Sequence, residues 1–145
     1  MVTVYVNNVP VEVHHETKIL HACTKAGYFV PTLCYHQDLE PSSGCGICMV
    51  EANGRFVRAC STPVEPNMKI VTDTKVLMDL RKNALKIILL SHPNNCPVCV
   101  KNGRCELQKL SQQLGVQDLP GEQLDRSHLK KDTSSPSIIM DPAYC

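Results

Sequence analysis

Nine cysteines in 145 residues restrict the possible folds of this chain more than any other feature of the sequence. Seven of them fall into two compact sets, four between positions 34 and 60 and three between positions 96 and 105. The N-terminus alternates like a β-strand and lacks the charged start and apolar run of a secretory signal. In a reducing compartment, closely spaced cysteines bind metal more often than they form disulfides. The sequence therefore predicts a cytoplasmic protein whose cysteines are mainly metal ligands.

Charge and hydropathy argue against two classes of partner. The formal net charge is +1 and there is no basic stripe, so we expect no nucleic-acid partner. The longest apolar runs, such as positions 87–90, are far too short to cross a bilayer, so we expect no membrane span. Tryptophan is absent and aromatic residues make up 4%, which leaves an aliphatic core. A small core of this kind gains stability from the internal cross-links that metal ligation provides.

Alternating residues in the first half of the chain predict a mixed β-sheet. A hairpin is indicated at 3–13, with a turn at Asn7-Asn8. A second is indicated at 49–59, where Asn53-Gly54 lies between two alternating runs and is a strong hairpin signal. A short strand is plausible at 69–71. The first half is therefore expected to be a sheet built around a cysteine-containing loop.

Helical spacing appears at three places, which makes the predicted fold class α+β. The first helix, 18–26, carries Cys23 on its apolar face, so this thiol is interpreted as a core residue rather than a ligand. A longer amphipathic helix runs from about position 74 to position 91 and is ended by Pro93. A shorter one is predicted at 106–114. The cysteines of the second set lie in the loop between these last two helices.

The first cysteine set has one close pair between two distant members, namely Cys34, Cys45, Cys48 and Cys60. Four thiolates are what a 2Fe-2S cluster requires, and the neighbouring glycines Gly44 and Gly46 allow backbone N–H groups to approach anionic sulfur. Zinc is the alternative, but zinc ribbons usually have two C-x-x-C pairs and this set has one, so the spacing favours iron. His36 would be half of a Rieske arrangement; the matching C-x-x-H is missing, so His36 is interpreted as a neighbour of the site.

The second set has the spacing H-x3-C-x2-C-x5-C and consists of His92, Cys96, Cys99 and Cys105. Pro93, Pro97 and Gly103 shape the loop that would close around a metal. Three cysteines and one histidine are also a common structural zinc set, and a lone histidine at a helix end is often a C-terminal cap. The spacing alone leaves zinc and a 4Fe-4S cluster open. The presence of the first set in the same chain favours iron.

At this point the sequence resembles the N-terminal iron–sulfur region of the large iron–sulfur subunit of complex I, of FeFe-hydrogenases and of NAD-dependent formate dehydrogenases. The residues that carry the resemblance are Cys34-Tyr35-His36-Gln37-Asp38-Leu39, Gly44-Cys45-Gly46-Ile47-Cys48-Met49-Val50-Glu51, Arg58-Ala59-Cys60-Ser61-Thr62-Pro63-Val64 and the stretch from His92 to Leu107. The resemblance implies a ferredoxin-like β-grasp domain at 1–73 that binds a 2Fe-2S cluster. It also implies a small helical module at 74–115 that binds a 4Fe-4S cluster through one histidine and three cysteines.

The resemblance extends to the end of the chain, where residues 116–145 are expected to form an extended tail. In the family this tail leads toward a module with two further 4Fe-4S clusters, which this sequence lacks, and Cys145 stands where its first cysteine would be. The implied function is the relay of single electrons between a flavin- and iron–sulfur-containing NAD(P)H-reacting subunit and a hydrogenase or formate dehydrogenase unit.

The chain is not expected to be catalytic alone, since it has neither G-x-G-x-x-G nor G-x-x-x-x-G-K and no catalytic residue can be assigned. The alternative function is a zinc-binding structural module that organises a multi-subunit complex. A colourless preparation containing zinc would favour that alternative.

Overall fold

The computed structural model of the chain describes residues 1–93, 95–116, 124–126 and 128–142. The chain divides into two compact units, Met1–Ala84 and Leu85–Cys145. The described residues form a five-stranded sheet, three α-helices and one short 3-10 helix. The α+β class is thereby confirmed, and it is consistent with a ferredoxin-like 2Fe-2S domain. Cys145 lies outside the described residues.

A mixed sheet forms the centre of the first unit, as the alternating residues predict. Its strands are β1 Val2–Val6, β2 Val9–Val13, β3 Met49–Ala52, β4 Arg55–Arg58 and β5 Lys69–Val71. They lie in the order β2-β1-β5-β3-β4. The β1–β5 pair is parallel and the other pairs are antiparallel. The last strand in sequence, β5, therefore lies at the centre of the sheet, between the two hairpins.

Both predicted hairpin turns are confirmed, and their backbone angles explain the residues found there. Asn7 and Asn8 have φ values of 48° and 70°, and Asn53 and Gly54 have φ values of 49° and 78°. Two successive positive φ values define the type I′ turn, whose twist matches that of the flanking strands. β4 ends at Arg58 rather than at the expected position 59.

Helix α1, Ile19–Lys25, supplies much of the core of the first unit. Ile19, Ala22 and Cys23 are completely buried, together with sheet residues such as Val4 and Val50. Fully burying one large aliphatic side chain contributes about 1.5–3 kcal/mol. Burial also raises the pKa of the Cys23 thiol to about 11, although the positive charge of Arg81 opposes this rise. The interpretation of Cys23 as a core residue is confirmed.

Helix α2, Lys75–Ser91, begins in the first unit and ends in the second. Its first residue is Lys75 because Thr74 caps the helix: the Thr74 hydroxyl accepts a hydrogen bond from the Leu77 N–H at 3.1 Å. The helix ends two residues before Pro93, as predicted.

The second unit contains the 3-10 helix Cys96–Val98 and helix α3, Glu106–Leu114, whose predicted bounds are confirmed. The apolar face of α3 is buried through Leu107, Leu110 and Leu114. In the tail, Asp132 and Met140 pair as an antiparallel bridge, with backbone N···O distances of 2.8 and 3.0 Å. No helix among the described residues is long and apolar enough to span a membrane.

Candidate metal centres

The four cysteines of the first set lie at increasing depth in the first unit. Cys34 is exposed and Cys45 is half-buried, whereas Cys48 and Cys60 are 2% and 1% exposed. The register of the second hairpin explains the depth of the last two. β3 begins immediately after Cys48 and β4 ends shortly before Cys60, and the Cys48 carbonyl accepts the Ala59 N–H at 3.1 Å. The hairpin thus fixes both thiols against the core.

The structure brings these four thiols together as two pairs. Cys34 and Cys45 are joined by a side-chain hydrogen bond, and so are Cys48 and Cys60. The two pairs are close enough that the charge of Cys45 affects the pKa of Cys48. The Ser43 hydroxyl also lies 3.8 Å from the Cys60 sulfur. The two pairs of thiols therefore lie near each other in the first unit.

Backbone N–H groups point at the sulfur atoms, which is the environment that anionic sulfur needs. The N–H groups of Gly44 and Cys45 donate to Cys34, and the N–H of Ile47 donates to Cys45. Burial raises the pKa of Cys34, but these donors, the Ser42 hydroxyl and the Cys45 thiol together outweigh it and lower the value to about 7. The exposed end of the site is thus already suited to a thiolate.

Burial dominates at the deep end of the same site. It raises the pKa of Cys45, and it raises the pKa of Cys48 to about 12 although the Cys60 N–H opposes the shift. Negative charge on the other thiols adds to the rise at Cys48. Cys48 and Cys60 are buried, so holding them as thiolates would require a positively charged group nearby. Cluster iron supplies such charge, so the donor set fits an iron–sulfur group.

His36 lies beside this site and has a local partner. Its side chain is exposed, and Nδ1 accepts the Asp38 N–H at 3.3 Å and lies 3.7 Å from the Asp38 carboxylate. The structure thus gives this imidazole a turn-forming contact within its own loop.

All four residues of the second set face one cavity of about 500 Å³ in the second unit. The volume lies in the usual range for a bound group. The other residues that line it are Leu89, Pro93, Asn102, Gly103, Leu107, Gln108, Ser111, Gln112 and Val116. None of these described lining residues has a charged side chain. One imidazole and three thiols that face the same largely uncharged cavity supply four donor atoms, which is the number that a 4Fe-4S cluster needs.

Short local elements place each ligand of the second set. Cys96 begins the 3-10 helix, Cys99 follows its end and Cys105 is the N-cap residue of α3. The Lys101 N–H lies 3.4 Å from the Cys99 sulfur as a hydrogen-bond donor. His92 follows the last residue of α2. The predicted location of this set, in the loop between two helices, is confirmed.

Sequence reasoning missed one residue that shapes this loop, Gln108. Its Oε1 accepts the Gly103 N–H at 3.1 Å, and its Nε2 donates to the Asn102 side chain at 2.9 Å. One amide on the first turn of α3 therefore holds the chain between Cys99 and Cys105. A glutamine three residues after a candidate ligand is a weak signal, and only the loop conformation reveals its role.

A second missed residue, Arg81, is the one charged side chain buried among the described residues, at 4% exposure. The sequence does contain a signal for it, because Arg81 lies on the apolar stripe of α2 four residues after Leu77.

Within the part of the chain that the structure describes, no three His, Cys, Asp or Glu side chains are placed so that they could hold a single metal ion.

Comparison with known proteins assigns the chain to a family. Residues 1–75 match the model of the 2Fe-2S iron-sulfur cluster binding domain. The chain belongs to this family. Residues 81–120 match the NADH-ubiquinone oxidoreductase-G iron-sulfur binding region. The two matches indicate a 2Fe-2S and a 4Fe-4S cluster as the cofactors, and they confirm the predicted resemblance.

Similar proteins are much longer than this member of the 2Fe-2S family. The NADP-reducing hydrogenase subunit HndD of Solidesulfovibrio fructosivorans is 35% identical over all of this chain, which spans 26% of that subunit. The NADH-ubiquinone oxidoreductase 75 kDa subunit of Reclinomonas americana is 38% identical over 79% of this chain, and the matched part is 17% of that subunit. A crystal structure of an NAD+-reducing NiFe-hydrogenase is similar with a TM-score of 0.83 and 28% identity; the match covers 99% of this chain and 61% of that one. The domains and these relatives support a role in electron transfer.

Proposed function

We propose that this chain relays single electrons between a flavin- and iron–sulfur-containing NAD(P)H-reacting partner and a hydrogenase or formate dehydrogenase catalytic unit. The observation that carries the proposal is the convergence of two ligand sets, four thiols in the first unit and one imidazole with three thiols in the second. Both sets consist of the donor atoms that iron–sulfur clusters use, namely cysteine sulfur and histidine nitrogen. The bound clusters supply the electron chemistry, and the protein holds and insulates them.

The proposed ligands of the 2Fe-2S cluster are Cys34, Cys45, Cys48 and Cys60. Because the thiols meet as the pairs Cys34/Cys45 and Cys48/Cys60, we assign one pair to each iron. The order β2-β1-β5-β3-β4, with α1 packed on the sheet, supports a ferredoxin-like β-grasp domain at 1–73.

The proposed ligands of the 4Fe-4S cluster are His92, Cys96, Cys99 and Cys105, within a module at 74–115. A neutral imidazole in place of a fourth thiolate leaves this site with one negative charge fewer, which favours the reduced state. Residues 116–145 are proposed as the tail that leads toward further modules of a longer assembly.

The relatives support the choice of partners, since their names join NADP reduction or NADH oxidation to hydrogenase and ubiquinone chemistry. A reducing compartment such as the cytoplasm belongs to the same proposal, because thiolate-held clusters need reduced cysteines.

Anaerobic purification with iron, zinc and sulfide analysis, followed by low-temperature EPR after dithionite reduction, tests the assignment. We expect about six irons per chain, one signal that persists at higher temperature and one seen only when very cold. Stoichiometric zinc without sulfide or signal would refute the relay and leave a structural module.

A pair of variants tests the ligands themselves. Cys60→Ser should remove the 2Fe-2S signal and leave the 4Fe-4S signal, whereas Cys23→Ser, the control at another buried cysteine, should keep both. Equal loss of the 2Fe-2S signal in both variants would contradict the assignment, because it would reflect damage to the core.

A further inference from the structure

Arg81 is a buried cation in the first unit, and its contacts tie helix α2 to the chain that follows Cys48. Its Nε and Nη2 donate to the Met49 carbonyl at 3.2 and 2.7 Å. Nη2 also donates to the Thr72 carbonyl at 2.8 Å. The guanidinium is therefore fixed in position by three hydrogen bonds to two backbone carbonyls.

These carbonyls satisfy hydrogen-bond donors but do not neutralise the charge. Within the described residues, no carboxylate forms an ion pair with Arg81. Removing an unpaired charge from water costs several kcal/mol, so a buried guanidinium needs anionic groups nearby. Arginine nevertheless stays protonated in proteins.

Asp73 and two thiols of the first unit are the ionisable groups that act on the Arg81 guanidinium. Burial lowers the pKa of Arg81, while Asp73, Cys48 and Cys23 raise it in that order. Asp73 is exposed, so water screens its share. Cys48 is a proposed ligand and is adjacent in sequence to Met49, to whose carbonyl Arg81 is bound. One turn later on α2, Ala84 lies next to the ligand loop, since a Cβ added to Gly46 would lie 3.5 Å from the Ala84 Cβ.

We propose that Arg81 is the counter-charge of the first ligand set and that it holds the reduction potential of the 2Fe-2S centre above the value it would have without this cation. The inference rests on the proposed ligand set. Reduction takes one electron from an external donor and adds one negative charge to the site, with no bond made or broken. A fixed positive charge in a poorly solvated interior stabilises the more negative state more than the less negative one.

The test compares three variants of the full chain by potentiometric titration with dithionite, with EPR as the readout. Arg81→Met keeps much of the side-chain length and removes the charge. Arg81→Lys keeps the charge and loses the planar set of guanidinium N–H donors. Arg55→Met, the control, removes an exposed arginine of β4. In Arg81→Met, we expect the ratio of reduced to oxidised 2Fe-2S centre at a fixed potential to fall about tenfold. For a one-electron couple this is a shift of about 59 mV. Arg81→Lys should keep most of the wild-type ratio, and Arg55→Met all of it.

A purely structural role would give a different result. An Arg81→Met protein with a full cluster, an unchanged ratio and only a lower unfolding midpoint would overturn the proposal. If Arg81→Met does not retain the cluster, the lysine variant decides: a near wild-type ratio supports the proposal, and a lost cluster or a fall of about tenfold refutes it. Absence of any 2Fe-2S signal from the wild-type chain would overturn the ligand set itself, and this proposal with it.

Discussion

Two glycines flank Cys45, and the structure predicts that they respond very differently to the same substitution. Gly46 has a φ of +69°, in the left-handed region that side chains with a Cβ rarely adopt. Gly44 has no positive φ, and a Cβ there would meet nothing within 4 Å. Gly46→Ala should therefore destabilise the first unit, whereas Gly44→Ala should leave its stability nearly unchanged.

The size of the effect follows from the backbone and not from a clash. The new Cβ at position 46 would lie 3.5 Å from the Ala84 Cβ, which is ordinary van der Waals contact. What remains is the left-handed conformation itself, which costs roughly 1–2 kcal/mol for a residue with a Cβ. With a urea dependence of about 2 kcal/mol per molar, the unfolding midpoint should fall by roughly 0.5–1 M.

Urea unfolding of the metal-free protein, monitored by circular dichroism, measures this difference in stability. The absorbance of the 2Fe-2S centre after reconstitution shows whether the less stable variant also binds less cluster. Both alanine variants keep the backbone N–H of the substituted residue, so neither variant loses a hydrogen-bond donor. Gly46→Asn should lie between alanine and wild type, because asparagine tolerates the left-handed region better. Equal midpoints for the two alanine variants would refute the reasoning.

Three further predictions follow from single contacts or charges. His92→Cys should retain a 4Fe-4S cluster but lower its potential in an EPR titration, because an anionic ligand replaces a neutral one; complete loss of the cluster would contradict a simple ligand exchange. In the metal-free protein, iodoacetamide at about pH 8 should modify Cys34 long before Cys48, since their pKa values are about 7 and about 12, and mass spectrometry of the digests identifies the sites. The Cys34 rate should increase as the pH rises through about 7 and level off above it; a constant rate would count against the lowered pKa. Thr74→Ala removes the hydroxyl that accepts the Leu77 N–H and should cost about 1 kcal/mol of unfolding free energy, and a thermal midpoint equal to wild type would argue that water replaces the cap.

Local patterns predicted most of the secondary structure, because the elements depend on neighbours in sequence. The Asn-Asn and Asn-Gly turns specify their hairpins through backbone angles, and Gly115 ends α3 with a φ of 64°. The strand order was not predictable in the same way. Nothing local in Lys69–Val71 indicates that this short strand pairs in parallel with β1 and lies between the hairpins.

For the candidate sites, spacing indicated which cysteines and which histidine to propose as ligands but not which residues surround them. Gly44 and Gly46 look equivalent in sequence, yet only Gly46 has a positive φ. The contacts of Gln108 and Arg81 join residues that a motif does not connect, such as Arg81 with Met49 across 32 positions. Candidate ligands can be proposed from a motif because the chemistry of metal binding restricts the residue types. The residues that surround a site are set by the tertiary fold, and many residue types can make such contacts, so a sequence motif does not reveal them.

The gradient of depth along the first ligand set has a consequence for how its cofactor is delivered and lost. Cys48 and Cys60 are buried in the core of the first unit, whereas Cys34 is exposed on a loop without regular structure. With the proposed ligand set, Cys34 is the ligand most exposed to solvent, so we expect an assembly protein to deliver iron and sulfide from its side. For the same reason, we expect oxidants and chelators to reach this side first and Cys34 to be the first thiol released from the proposed cluster.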